Sequence, residues 1–374
     1  MRVAIVHYWL VGMRGGERVL EQLCALFPEA DLYAHVCVPE NLSPALRRHS
    51  ITETFIARLP GGRKHYQKYL GLMPRALEEL DLSGYDLVLS SESGPAKGVI
   101  VPPETPHLCY CHSPMRYLWD QYHAYKAGLG RVGRAVFGHV AARMRVWDAV
   151  SAQRVDRIVA NSNFVAQRVR RSWGREASVV HPPVDLEAYR PSPAPGPEAP
   201  YLFLSELVPY KRADLAIEAC RRLGRPLRVA GSGSEAERLK RDPPEGVEFL
   251  GRVPDVDMAA LYRDSRALLF PAMEDFGIVP LEAMASGRAV VAYGRGGALD
   301  TVRDGETGVL FDAQTPEALT AAIQRFEAEV EPGLDPAAPA AQAARFSPEA
   351  FRAAIWSEIR EMAPQLDLPE APPA

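Results

Sequence analysis

Long apolar runs are missing from this sequence. No stretch reaches the roughly 18 consecutive apolar residues that a membrane-crossing helix needs, so an integral span is excluded. Cysteine is scarce. Cys24, Cys37, Cys109, Cys111 and Cys220 form an odd, scattered set, which excludes a disulfide framework and points to a reducing compartment. Cys109 and Cys111 lie inside an apolar run and read as core thiols, not metal ligands. No strong excess of either charge is present: the net charge is −4, which argues against nucleic acid as a partner. The opening residues, MRVAIVHYWLVGMRGGE, lack the small-residue cleavage site of a secretory leader. They read as a first β-strand, and the expected location is cytoplasmic.

What is present is strand–helix alternation over 374 residues, a length that suits two domains of about 150 residues or somewhat more. Twelve short runs rich in β-branched residues, among them Arg2–His7, Leu87–Ser90, His107–Cys111, Tyr201–Ser205 and Ala267–Phe270, alternate with segments of helical spacing. In one such segment Val19, Leu20, Leu23 and Phe27 share a face. This pattern predicts an α/β fold: parallel sheets covered by helices on both sides. Five of the ten residues in 191–200 are proline, which forbids a helix or a central strand there and predicts a stiff linker. The resulting division is a first domain over 1–183, a linker over 184–200, a second domain over 201–345, a C-terminal helix over 346–363 and a Pro-rich, disordered tail over 364–374. Two such domains predict a cleft, with ligands held beyond the carboxyl ends of the strands.

The strongest local signal runs from Leu268 to Gly297. A buried strand ends at Phe270, a loop follows, and a helix begins near Val279 with Pro280 in its first turn, where a missing N–H costs nothing. Gly287 stops that helix. The free amides of Gly277, Ile278 and Val279 suit a phosphate, and Glu274 and Glu282 can accept hydrogen bonds from sugar or ribose hydroxyls. Lys211 and Arg212 follow the strand that ends at Ser205, as a point charge and a planar fork suited to a diphosphate. Gly12, Gly15 and Gly16 follow the first strand and permit close backbone approach. His112 follows the strand ending at Cys111, which puts it at the ligand end of its sheet. Beyond it come Tyr117, Trp119, Tyr122 and Tyr125, whose faces suit either a sugar ring or a helix core. Tyr117 and Trp119 are the acceptor-side candidates. Asp255 and Asp257 form a D-x-D before a helical segment and read as capping residues, so no metal is expected.

EDFGIVPLEAMASG, Glu274–Gly287, resembles the double-glutamate signature of the retaining glycosyltransferases of family 4, which have the GT-B fold of two Rossmann-like domains. The resemblance covers nearly the whole chain and is densest from Tyr201 to Phe311. It implies Glu282 on the donor ribose, Glu274 near the transferred sugar, and Asp275, Phe276 and the amides of Gly277, Ile278 and Val279 along the donor. It implies Lys211 at the diphosphate. Where the family usually carries an Arg two positions after the strand, this chain has Glu206, a departure that leaves Arg212 to supply the charge. Arg252 and Val253 are implied at the base, Gly15 and Gly16 against donor phosphate or acceptor, and His112 near the reacting centre. A C-terminal helix packing back on the first domain is also implied.

HSPMRYLWD, from His112, is similar to bacterial mannosyltransferases that assemble surface polysaccharides, which implies GDP-mannose, with a UDP-sugar as the alternative. The implied reaction is glycosyl transfer with retention, by same-face attack in which the leaving phosphate accepts the acceptor's proton. It needs no cofactor and no metal, and the acceptor is a glycan or a polyprenyl-diphosphate-linked sugar. A sugar-nucleotide 2-epimerase and a non-catalytic nucleotide-sugar-binding relative share the fold and stand as alternatives. The stretch 126–175 carries one lysine and ten arginines against Asp148 and Asp156. It reads either as a solvated helix face or as one drawn to anionic lipid at a membrane surface.

Overall fold

The computed structural model describes residues 1–373; Ala374 lies outside the described residues. The chain divides into two compact units, Val184–Ser347 and a first unit that joins Met1–Pro183 to the chain from Pro348 onward. The first unit holds strands β1 (Val3–His7), β2 (Asp31–Ala34), β3 (Ile51–Glu53), β4 (Leu87–Glu92), β5 (His107–Cys111), β6 (Arg157–Ala160) and β7 (Ser178–Val179). All pair in parallel, in the order β3-β2-β1-β4-β5-β6-β7. Its main helices are α1 (Gly15–Leu26), α2 (Tyr122–Ala127), α3 (Arg131–Ser151) and α4 (Asn163–Trp173). Val19, Leu20 and Leu23 of α1 pack with Ile5, Leu32 and Leu89 on one side of the sheet. On the other side Ala4, Val6 and Val88 meet Leu77 and Leu82. β3 was not legible beforehand, because ITE is a three-residue edge strand without an apolar run.

The second unit repeats the scheme with β8 (Tyr201–Leu204), β9 (Leu227–Ala230), β10 (Val247–Gly251), β11 (Ala267–Phe270), β12 (Ala289–Tyr293) and β13 (Gly308–Phe311), ordered β10-β9-β8-β11-β12-β13. Its helices include α5 (Ala213–Leu223), α6 (Asp255–Arg263), α7 (Ile278–Ala285) and α8 (Ala337–Ala344). Phe203, Leu269 and Val291 form one core with Leu215 of α5; Leu202, Leu268 and Val290 form the other with Leu281 and Met284 of α7. In both sheets the winding reverses beside the first strand of the unit, between β1 and β4 and between β8 and β11. Loops leaving the carboxyl ends of those pairs flank the crevice where open α/β sheets bind ligands.

The proline-rich segment departs from the expectation of a free linker over 184–200. Val184 lies in the second unit's core and its amide donates to Phe346 O at 2.9 Å. Arg288 is buried and donates to the carbonyls of Ser192 and Pro193. Prolines remove donors from the segment but leave its carbonyls, and a buried guanidinium takes them up. The last helix, α9 (Pro348–Met362), inserts Phe351, Ile355, Trp356 and Ile359 into the first unit's core, and Arg157 pairs with its Glu361 at 2.6 Å. The tail expected to be disordered is instead anchored. Leu366 and Leu368 pack on that core, and Trp356 Nε1 donates to Pro369 O at 2.8 Å.

Candidate functional site

In the second unit, the loop after β8 and the loop after β11 leave neighbouring strands at the winding reversal. That topology explains why Lys211, 63 residues from Glu274 in sequence, meets it in a part-buried ion pair. Gly277 caps α7 at φ +92°, a region that favours glycine, and a Cβ there would meet the Phe270 ring at 3.1 Å. The first amides of α7 therefore follow directly on the Glu274 loop. Glu282, in the second turn of the same helix, accepts 2.7 Å from the hydroxyl of Tyr262, a buried residue of α6. Burial, then the neighbouring Glu282, raises the Tyr262 pKa well above its ordinary value, so Tyr262 is a fixed donor that orients the carboxylate. The loop after β12 supports the Glu274 loop from beneath. Gly297 N donates to Glu274 O at 2.9 Å, and a Cβ on Gly296 or Gly297 would fall within 2.3 Å of the carbonyls of Glu274 or Phe276.

In the first unit, His112 follows β5 and its amide donates to Glu92 O at 2.8 Å. Its Nε2 lies 2.9 Å from Ser91 Oγ, which lies 3.0 Å from His7 Nδ1. Burial, with a smaller effect of His7, pushes the His112 pKa down to about 3, so the ring is neutral near pH 7. A cavity of about 370 Å³ lies in this unit, with Arg14, Arg116 and Ser93 on its polar side and Leu70, Phe137 and Tyr117 on its apolar side. The Tyr117 hydroxyl is buried without a hydrogen-bond partner.

Residues 187–338 match the family described as Glycosyl transferases group 1, and residues 13–188 match Glycosyltransferase Family 4. The chain belongs to the GT-B glycosyltransferases. Among curated proteins it is 32% identical over 234 residues to a D-inositol 3-phosphate glycosyltransferase of Acidothermus cellulolyticus, covering 54% of this chain and 50% of that protein. It is 29% identical over 235 residues to a GDP-mannose-dependent alpha-(1-6)-phosphatidylinositol monomannoside mannosyltransferase of Mycolicibacterium smegmatis, covering 54% and 62%. The aligned stretch thus spans about half to three-fifths of the length of these relatives. Among solved structures, the sucrose-phosphate synthase of Thermosynechococcus elongatus superposes with a TM-score of 0.71 at 17% identity, covering 98% of this chain and 100% of the other. Anabaena Alr3699/HepE in complex with UDP-glucose superposes at 0.67 and 17%, covering 98% and 99%. At such identities these structures bear on the fold alone.

Within this GT-B chain several sequence-based candidates sit differently from expectation. Arg212, meant to replace the charge lost at Glu206, grips Asp214 with Nε and Nη2 at 3.0 and 2.9 Å and starts α5 in the left-handed region at φ +59°. Glu206 itself is exposed. Trp119 donates 2.7 Å to buried Asp148 and packs in two cores; unlike Tyr117 it does not line the cavity. Gly16 is demanded by packing, since a Cβ would stand 2.4 Å from the Tyr8 hydroxyl, while Gly15 opens α1. Arg252 is exposed and Val253 packs on the core beside α6. Asp255 and Asp257 do not cap α6; the cap is Pro254, and the two acids lie in the first turn, where they favour the helix dipole. Among the described residues no group of three or more His, Cys, Asp or Glu is placed to hold a metal.

The basic stretch also divides. Arg154, Arg157, Arg168 and Arg170 pair with Glu78, Glu361, Asp120 and Glu176. Arg170 and Arg171 of α4 face solvent, and so does one side of α3, where Val132, Val136, Val146 and Val150 are exposed together with Arg143. No acidic residue lies between Asp120 and Asp148. Among the described residues no helix is long and apolar enough to cross a membrane.

Sequence reasoning overlooked Tyr262 and the residues His7, Ser91 and Arg14; GRGG, Gly294–Gly297, reads from the sequence only as an incomplete dinucleotide fingerprint, not as support for the Glu274 loop. His7 and Ser91 left a signal: polar residues closing apolar strands, β1 and β4, at the winding reversal.

Proposed function

We propose that the chain transfers mannose from GDP-mannose, with retention of anomeric configuration and without a metal, to an acceptor bearing a phosphate and an apolar chain. The observation that carries this reading is the Lys211–Glu274 pair beside the start of α7, with Glu282 held by Tyr262. A donor diphosphate draws Lys211 away from Glu274 and lies against the amides of residues 277–279. Glu274 is thereby released to accept from hydroxyls of the sugar, and Glu282 accepts from the ribose. As the sugar leaves, charge builds on the diphosphate, and the ammonium and amides that already face it lower the barrier. The acceptor attacks from the same face and its proton passes to the departing phosphate oxygen. Mannose and GDP are favoured by the HSPMRYLWD string and by the name of the Mycolicibacterium smegmatis relative. A UDP-sugar donor is the second reading, favoured by the UDP-glucose bound to the Anabaena protein.

The acceptor's anionic group pairs with Arg14 and Arg116, and its apolar part lies along Leu70 and Phe137. The exposed valines of α3 and its arginines suit an anionic bilayer surface, where apolar burial and lipid charge act together. The test is incubation of the purified chain with GDP-mannose, with and without a polyprenyl-phosphate-linked glycan, followed by NMR of the new anomeric centre. The expected product is the α-mannoside, formed equally in EDTA. A donor converted without acceptor, an inverted product, or turnover lost to EDTA and restored by Mn²⁺ contradicts the proposal.

A further inference from the structure

The chain His7–Ser91–His112 runs across three adjacent strands. His7 ends β1 and pairs in register with Ser91 of β4, and His112 follows β5, the next neighbour. A fourth member approaches from α1: Glu17 Oε1 stands 3.9 Å from His7 Nε2, and its other oxygen accepts 3.0 Å from the Arg14 amide. His7 and Glu17 are both almost fully buried, and His7 Nε2 has no hydrogen-bond partner.

Proton counting gives this chain one direction. Ser91 has a single hydroxyl proton to share between two imidazoles. Were neutral His7 protonated on Nδ1, its Nε2 lone pair would face the Glu17 carboxylate at 3.9 Å, which is repulsive. With the proton on Nε2 the N–H dipole points at the carboxylate, and Nδ1 accepts from Ser91. Ser91 Oγ must then accept from His112 Nε2–H, which leaves His112 Nδ1 as a bare lone pair. The reverse polarity needs a proton on His7 Nδ1: either the neutral tautomer just described, with its Nε2 lone pair turned to Glu17, or a doubly protonated imidazolium in a site 1% exposed, with its countercharge at 3.9 Å, beyond hydrogen-bond distance, an expensive arrangement.

We propose that Glu17, His7 and Ser91 are positioning residues that fix His112 as an Nε2–H tautomer, so that its Nδ1 accepts a hydrogen bond from a substrate hydroxyl and turns away anionic oxygen. The substrate half of this rests on the glycosyl-transfer reading above; the tautomer half does not. His112 thereby selects a sugar that presents an O–H at that point and plays no part in holding the diphosphate.

The test is ¹⁵N-histidine NMR of the full chain near pH 7.5, with His112→Gln identifying one signal set among the nine histidines. The expected result is protonated Nε2 and unprotonated Nδ1 for His112. Ser91→Ala should give a mixture of tautomers and raise KM for the sugar substrate about fivefold, the cost of one misdirected neutral hydrogen bond. Ser91→Thr, which keeps the hydroxyl, should restore both. Protonated Nδ1 in the wild type, or an unchanged His112 signature in Ser91→Ala, overturns the proposal. The predicted tautomer together with kinetics indifferent to Ser91→Ala overturns only its substrate half, and leaves the transfer reaction to be judged by product formation.

Discussion

The two units share one winding order yet distribute ionisable groups in opposite ways. All nine histidines lie in residues 1–183 and none in the second unit. The first unit presents imidazoles, His7 and His112, at its strand ends and buries its charges elsewhere. Lys97, Glu92 and Asp148 have fully buried side chains, with Lys97 Nζ bonded to both carboxylates and 4.1 Å from the Trp173 ring centroid. Trp119 and Trp173 each donate 2.7 Å to Asp148. The second unit puts its charges, Lys211 and Glu274, at the ligand end. Its buried cations Arg266 and Arg288 precede β11 and β12, at the amino ends of the strands. In the function proposed above, the same scaffold serves two chemistries: movable charge to grip and release a diphosphate, and fixed polarity to sort hydroxyls. A buried ion pair is costly to disturb, whereas a part-exposed one exchanges partners cheaply.

Two lysines test that difference most sharply. Lys97→Met leaves two carboxylates buried without their cation and should cost about 3–5 kcal/mol of stability, read by chemical denaturation. Lys211→Met should stay within about 1 kcal/mol of the parent in the same experiment, while its turnover falls roughly a hundred- to a thousandfold, as on loss of one preorganised charge-stabilising donor. Equal stability losses would erase the distinction between the units.

Acid should separate them next. Burial pushes the His107 pKa down to about 3 and that of His35 to about 4. Both are neutral in the folded chain, and the unfolded chain takes up the protons first. Stability present above pH 6.5 is therefore lost as pH falls from about 6.5 toward 4, by at most about 1.4 kcal/mol per pH unit for each histidine. Hydrogen exchange over that range should loosen the first unit's strands before those of the second. Loosening of β8 and β11 ahead of β1 and β5 would contradict this.

Much of this was legible in advance, for reasons that are local. The helix start, expected near Val279 and found at Ile278, and its stop before Gly287 follow from turn chemistry, and twelve of the thirteen strands follow from short β-branched runs. What could not be read depends on partners far away in sequence. Arg288 captures Ser192 from 96 residues away, which turns a proline-rich stretch into part of a unit. Asp148 claims the Trp119 indole, which periodicity alone leaves open to a sugar. Glu78, Glu361 and Asp120 neutralise arginines that a charge count groups into one basic face. The Lys211–Glu274 contact was half legible. Both residues were marked for the donor, but their attachment to each other needs the adjacency of β8 and β11.

The most direct test of the central claim, that the second unit's glutamates and Lys211 hold a nucleoside diphosphate sugar, is calorimetric titration of the chain and of Glu282→Ala with GDP-mannose and UDP-glucose. Saturable binding of GDP-mannose, weakened in Glu282→Ala by about 1–3 kcal/mol at a temperature where circular dichroism shows both proteins fully folded, is the predicted result. Equal affinity in the two proteins, or no binding of either nucleotide sugar, would contradict it.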